Sequence, residues 1–456
     1  LILGDFANTV TLASVETVTG GTSSDVVVFN AAVSGTTVNL GDGDDTLTLG
    51  NFVNVLTVSN VETLNGGSAN DTITLGSQIT TGTLSLGNGT DTLILGNFDN
   101  TLTAMSIEAI TGNSGDDVVT LGSAMIGGVV NLGAGDDTLT LGDFNNTLTV
   151  TNVETLVGGS SADIVTLGNV ITAGTVDLGA GSDRLTLGNF NNTLSIANIE
   201  SLQGGNSADV VTLTTQISGG NINLGVGNDT LTLGDFANTL TVSAVETLTG
   251  GSSNDVVVLG ASVSNGTYNL GDGDDTLTLG NFANTITVVN VETINGNSNA
   301  DVVTLGSQVT AGTINLAAGA DRLNLGNFDN TVTVLGVESI VGNSSSDSVT
   351  FGAAAAAGTR IDLGAGSDTL TLGNFNNTLS VLNVETITGG SSSDVVTLAT
   401  QGNGNTIDLG AGNDTLILGN FANTLTLSNV ETVTGGSSAD VIVLATQITN
   451  GSINLG

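Results

Sequence analysis

The tract LGDGDDTLTLGNF, Leu40 to Phe52, decides how the chain reads. It returns with small changes from Leu86, Leu132, Leu178, Leu224, Leu270, Leu316, Leu363 and Leu409, at a spacing of 46 residues with a single step of 47. Self-similarity at a fixed period of this size marks a protein built by stacking one unit many times. The one extra residue lies between Asp347 and Leu363, in the alanine-rich stretch FGAAAAAGTR, and reads as a local loop insertion over residues 352–360. Leu1 falls in the register of Leu47. The expectation is therefore one continuous array over residues 1–456, uncapped at both ends, as a window on a longer protein or a filament.

Within a repeat, apolar residues alternate with Thr, Ser or Asn: Val38 and Leu40, Leu47 and Leu49, Leu56 and Val58, Ile73 and Leu75, Leu84 and Leu86. A period of two with β-branched residues predicts strands whose apolar side faces a core. Between them stand GDGD, GNFVN, NGGSAN and TTG, turn chemistry in which Gly, Asn, Asp and Ser tolerate positive φ or bond to their own backbone. No stretch carries a helical period with caps. The predicted fold is all-β, a right-handed parallel β-solenoid (β-roll or β-helix) of ten repeats, with two coils per repeat of roughly 23 residues each. Five strand-like pieces do not divide evenly between two coils, so the number of faces per coil stays open. Ten of the 12 Phe share one register, from Phe6 and Phe52 to Phe421, and are expected to stack inside at a corner. The Asn register, including Asn8, Asn54, Asn100, Asn146 and Asn192, reads as an amide stack at a turn.

Composition excludes whole classes of function. There is no Cys, His, Pro or Trp, so thiol and imidazole chemistry and zinc or haem sites are out. Forty-three acidic residues face three basic ones, Arg184, Arg322 and Arg360, for a net charge of −40. Such a chain cannot neutralise a phosphate backbone or hold an anionic membrane, which rules out nucleic acid and acidic lipid as partners. It is still expected to fold, because 39% of its residues are hydrophobic and its mean hydropathy is positive. No apolar run approaches the length of a membrane span.

Two aspartate registers stand out as candidate metal ligands. The first closes Gly-x-Gly-x-Asp-x-Leu-x-Leu: Asp45, Asp91, Asp137, Asp183, Asp229, Asp275, Asp321, Asp368 and Asp414, with Ala317 replacing the first Gly of one copy. The second closes Gly-Gly-x-x-x-Asp: Asp25, Asp71, Asp117, Asp163, Asp209, Asp255, Asp301, Asp347, Asp394 and Asp440, with Asn113, Asn297 or Asn343 at the second Gly in three copies. These motifs resemble the hemolysin-type, or RTX, calcium-binding family, whose Gly-Gly-x-Gly-x-Asp-x-Leu-x nonapeptides fold as a parallel β-roll. The resemblance implies Ca²⁺ between successive turns, bound by turn carbonyls and the Asp carboxylate. The departures are Leu40 at the family's leading Gly, Ala69 or a Ser at its third Gly, and Asp registers alternating at 26 and 20 residues where tandem nonapeptides give coils of about 18. Without metal, the same Asp would cap its own turn by accepting backbone N–H groups.

Charge balance argues for a cation, since stacked carboxylates have no counter-charge within the chain. All ten Glu also share one register, from Glu16 and Glu62 to Glu431, and would either complete a cation site or accept backbone amides at a bend. Near-identical repeats single out no cleft, so an enzyme, such as a polysaccharide-processing solenoid, is not expected. The leading expectation is a structural one: the calcium-stabilised shaft of an extracellular or cell-surface fibre or adhesin, self-associating end to end into a filament or continuing in a longer chain, with possible surface or polysaccharide contact. The alternative is recognition of ice or another crystalline surface through outward Thr such as Thr46, Thr48, Thr72 and Thr74, although Val in DVVTL and DVVVL, together with Arg184 and Arg322, makes that array ragged.

Overall fold

The computed structural model describes residues 1–456, which form two compact units, Leu1–Asp229 and Thr230–Gly456. Neither contains a helix. The first holds 24 strands and the second 25, and successive strands go alternately to two sheets, so that each coil contributes one strand to each. Pairing is parallel within each unit. Thr46–Thr48, for example, lies between Val26–Phe29 and Thr63–Gly67, while Thr72–Leu75, which follows Thr63–Gly67 along the chain, lies in the other sheet between Val55–Ser59 and Thr92–Ile94. Each unit is thus the parallel β-solenoid that the alternation implies.

The coil count differs from two per repeat. Along one edge of the first unit, Asn8 stacks on Asp25 after 17 residues, Asp25 on Asp45 after 20 and Asp45 on Glu62 after 17. One further coil carries Ile79, whose N–H donates to Asn100 after 21 residues. Five coils therefore span the two repeats from Asn8 to Asn100, which makes about 18 residues per coil and two and a half coils per repeat. The five strand pieces divide evenly after all, two to a coil, once a repeat ends half a coil away from where it began. Equivalent residues of successive repeats consequently fall on opposite edges.

The core is the two inward rows. Leu47, Leu64, Ile73, Leu84 and Leu86 are fully buried, and Leu49 is 4% exposed. Burying such a side chain contributes roughly 1.5–3 kcal/mol. Tyr268 takes the place that Val38 and Val130 hold in other repeats, and its buried hydroxyl donates to Val245 O at 2.8 Å, which satisfies its one polar atom. Between Asp347 and Leu363, a turn in which the Thr359 N–H donates to Ala356 O (3.1 Å) takes up the extra residue: Asp347 and Asp368 are 21 apart instead of 20, and the registers on either side continue.

The phenylalanine register is not an internal stack. Phe52 is 43% exposed and Phe6 76%. From Phe52 onward the ring typically lies over the loop glycine two residues before it, as Phe52 does over Gly50, and consecutive Phe sit on opposite edges and cannot stack. The outward Thr rows are also less ragged than the sequence suggests, because pairing joins Thr from different parts of the repeat. In the second unit Thr276, Thr293, Thr313, Thr333, Thr350, Thr371 and Thr388 occupy one register across seven successive strands of one sheet. Beside four of them, two residues earlier on the same strands, stand Thr331, Ser348, Thr369 and Thr386.

Candidate metal centre

Each edge is a ladder of four polar rungs. At one of them, the Asn54 N–H and Nδ2 both donate to Asp71 Oδ1 at 2.9 Å, the Asp71 N–H donates to Asp91 Oδ1 at 2.6 Å, and the Asp91 N–H donates to Glu108 Oε2 at 2.8 Å. The sequence Asn–Asp–Asp–Glu then repeats on the other edge as Asn100, Asp117, Asp137 and Glu154, and in the second unit as Asn284, Asp301, Asp321 and Glu338. A bend or a glycine turn leaves its backbone N–H without a sheet partner, and these side chains supply one from the next coil.

This assigns the glutamate register: Glu62, Glu108 and their equivalents accept the amide of the Asp one coil earlier, so the reading of Glu as an acceptor at a bend holds. The Asn register is not an amide stack. Asn54 heads its ladder, also donating to Phe52 O (2.7 Å) while its Oδ1 accepts the Val33 N–H (3.2 Å). The constant Asn-to-Asp and Asp-to-Glu spacing of 17 was the available signal for both roles, and it is visible only once a coil of that length is recognised.

Turn capping accounts for one oxygen of each aspartate and leaves the other. Oδ2 is buried with no hydrogen-bond partner at Asp25, Asp45, Asp71, Asp91, Asp117, Asp137, Asp163, Asp183 and Asp209, and at Asp255, Asp275, Asp301, Asp321, Asp347, Asp368, Asp394, Asp414 and Asp440. A buried carboxylate oxygen without a partner is costly. What surrounds it is other oxygen. A Cβ added at Gly20 would collide with Leu40 O and lie 2.8 Å from Asp25 Oδ2. One added at Gly319 would lie 2.6 Å from Asn299 O and 2.7 and 2.8 Å from the two oxygens of Asp321. Glycine keeps this cradle open, and a cluster of carbonyl and carboxylate oxygens suits a hard cation. No three carboxylates converge on one point, so such an ion would take its remaining ligands from carbonyls or water.

The electrostatics agree. Burial pushes the Asp45 carboxyl up to about 6, against the Asp25 N–H that lowers it, and the charges of Glu62 and Asp25 add to the rise. Asp91, Asp137, Asp183, Asp321, Asp368 and Asp414 are likewise pushed up to about 6, and Asp275 to about 7, with burial the first cause throughout. At Asp71 and Asp117 burial also raises the value, opposed by the donors of Asn54 and Asn100. The arginines give no relief: Arg360 pairs at the surface with Asp362 (3.2 Å), and Arg322 donates to Asn324.

Four stretches, residues 59–78, 129–148, 360–379 and 397–425, match the RTX calcium-binding nonapeptide repeat; they contain Asp71, Asp137, Asp368 and Asp414. Among curated proteins none matches in sequence. Of solved structures, a hyperactive, Ca²⁺-dependent, β-helical antifreeze protein from an Antarctic bacterium aligns over 87% of this chain and 84% of its own, at 14% identity and a TM-score of 0.12, too low to support any inference. Coils of about 18 residues remove the misfit in spacing, because the 26-residue step runs from one edge to the other. With nonapeptide matches in both units and oxygen-lined aspartate turns along them, the chain is similar to RTX calcium-binding repeat proteins over these four stretches.

Proposed function

We propose that the chain is a calcium-stiffened shaft of an extracellular or cell-surface fibre or adhesin, in which the nineteen aspartates of the two registers hold the ions. The observation that carries this reading is the recurrence of the same buried Asn–Asp–Asp–Glu ladder along both units, with no repeat set apart by different chemistry. A part repeated this evenly supplies length and stiffness, and its stability sums over neighbouring coils. The net charge of −40 opposes side-by-side bundling, which divalent cations relieve. End-to-end self-association into filaments belongs to this reading. Electron microscopy in millimolar Ca²⁺ should show thin, stiff rods or longer fibres that soften in chelator. Compact particles unaffected by calcium would overturn it.

A second reading, binding to ice or another crystalline surface, is favoured by the seven-strand Thr register with Thr331, Ser348, Thr369 and Thr386 beside it. Such a face repeats hydroxyl and methyl groups about 4.8 Å apart between strands and roughly 7 Å apart along them, with no charge. Calcium-loaded protein should then slow ice growth, and a Thr350→Lys/Thr371→Lys variant should lose most of that effect while keeping its melting curve. No effect of the parent protein on ice growth sinks this reading.

A further inference from the structure

The two aspartate registers do not form a row of equivalent metal sites. We infer that they form closed pairs, each pair of successive coils holding one cation shared by its two aspartates, with pairs alternating between the two edges every 46 residues. This rests on the calcium reading of the aspartates and specifies how the ions are distributed.

The contacts of the two cradles are reciprocal. In the pair Asp25 and Asp45, the unpartnered Oδ2 of the first aspartate faces Leu40 O, a carbonyl of the second coil. In the pair Asp301 and Asp321, the carboxylate of the second aspartate faces Asn299 O, a carbonyl of the first coil. Across equivalent pairs, the first aspartate is thus set against a carbonyl of the second coil and the second aspartate against a carbonyl of the first, and Asp301 and Asp321 are each no more than 1% exposed.

The coils on either side of a pair close it off. Towards the preceding coil stands Asn, whose Nδ2 and N–H both donate to the first aspartate's Oδ1, so two neutral donors already occupy the place of a cation. The loop of that coil carries Asp143, Asn189 or Asn374 interchangeably, each accepting a backbone N–H from the next coil, which an uncharged amide oxygen does as well as a carboxylate. Towards the following coil stands Glu, reached after a bend with no glycine pair, its Oε2 already accepting the second aspartate's N–H. Beyond it, the fifth coil presents a buried aliphatic side chain, Ile79, Met125 or Ile171, where oxygen ligands would have to be. Asp45 and Asp71, though close in sequence, lie on opposite edges, since the strands they lead into belong to different sheets.

The sequence contains nine complete pairs, from Asp25 with Asp45 to Asp394 with Asp414, and Asp440 without a partner. The test is to count tightly bound Ca²⁺ per intact chain by equilibrium dialysis with elemental analysis, and to compare variants. The expected count is about nine. Asp71→Asn and Asp91→Asn should each lose one ion, and the double variant should lose the same single ion. Asp71→Asn with Asp117→Asn, whose aspartates sit on opposite edges, should lose two. Asparagine keeps Oδ1 as an acceptor and offers an N–H to the facing carbonyl, so these variants hold the turn, and unchanged far-UV circular dichroism in calcium checks that they do. A count near eighteen, or two ions lost from Asp71→Asn/Asp91→Asn, overturns the pairing while leaving calcium binding intact. A count of zero overturns both.

Discussion

Chelating calcium at neutral pH is expected to unfold much of the array, seen as loss of the β-sheet circular dichroism signal and a large fall in melting temperature, with recovery when millimolar Ca²⁺ is restored. The reason lies in Oδ2. In the calcium-free chain each aspartate keeps one oxygen satisfied by the N–H of the preceding coil, while the other stays buried, charged and surrounded by carbonyls. A ligand that binds only the folded chain at a hundredfold its dissociation constant contributes about 2.7 kcal/mol per site. In a solenoid such contributions accumulate along neighbouring coils. Replacing aspartates by asparagine across several pairs should have the opposite effect on the calcium-free chain and raise its melting temperature, because the amide supplies a donor where the orphaned oxygen was. A melting curve unchanged by chelator, with no gain from the asparagine variants, would leave turn capping as the whole role of these residues.

The calcium-free chain should also be more stable at pH 4–5 than at pH 7–8, the reverse of the usual behaviour of an acidic protein. Burial raises Asp45, Asp91 and their equivalents from 3.8 to about 6 in the folded chain. Between those values the folded state holds protons that the unfolded state has released, so stability falls as pH rises through the window. It is least above this window, where Asp45, Asp91 and the others raised to about 6 are ionised, at a cost on the order of 3 kcal/mol for a shift of this size. Calcium inverts the trend. The ion binds the ionised carboxylate, so the loaded chain should be most stable near neutrality and release Ca²⁺ as acid protonates Asp45 and Asp275, the latter pushed up to about 7. Urea unfolding at a series of pH values, with and without calcium, should give two curves of opposite slope that cross. Parallel curves would show that these carboxyls titrate alike in both states.

Much of this protein is written locally. Alternation at Leu47 and Leu49 settles strand and inward face, the Gly and Asp of GDGDD settle the turn, and the 46-residue return of both settles a solenoid, since each depends only on side-chain period and backbone preference within a few residues. The Gly and Asp spacing of a calcium-binding nonapeptide was legible in the same way. What the sequence could not decide is which residues lie above one another. That depends on the length of a coil, set by how much core two strands and two turns enclose, and a repeat two and a half coils long hides it by sending every second copy to the opposite edge. Only tertiary pairing places Asn54, Asp71, Asp91 and Glu108 in one ladder, turns Phe52 outward and aligns Thr from different parts of the repeat into one row, because contacts between coils are fixed by stacking distance and not by neighbourhood along the chain.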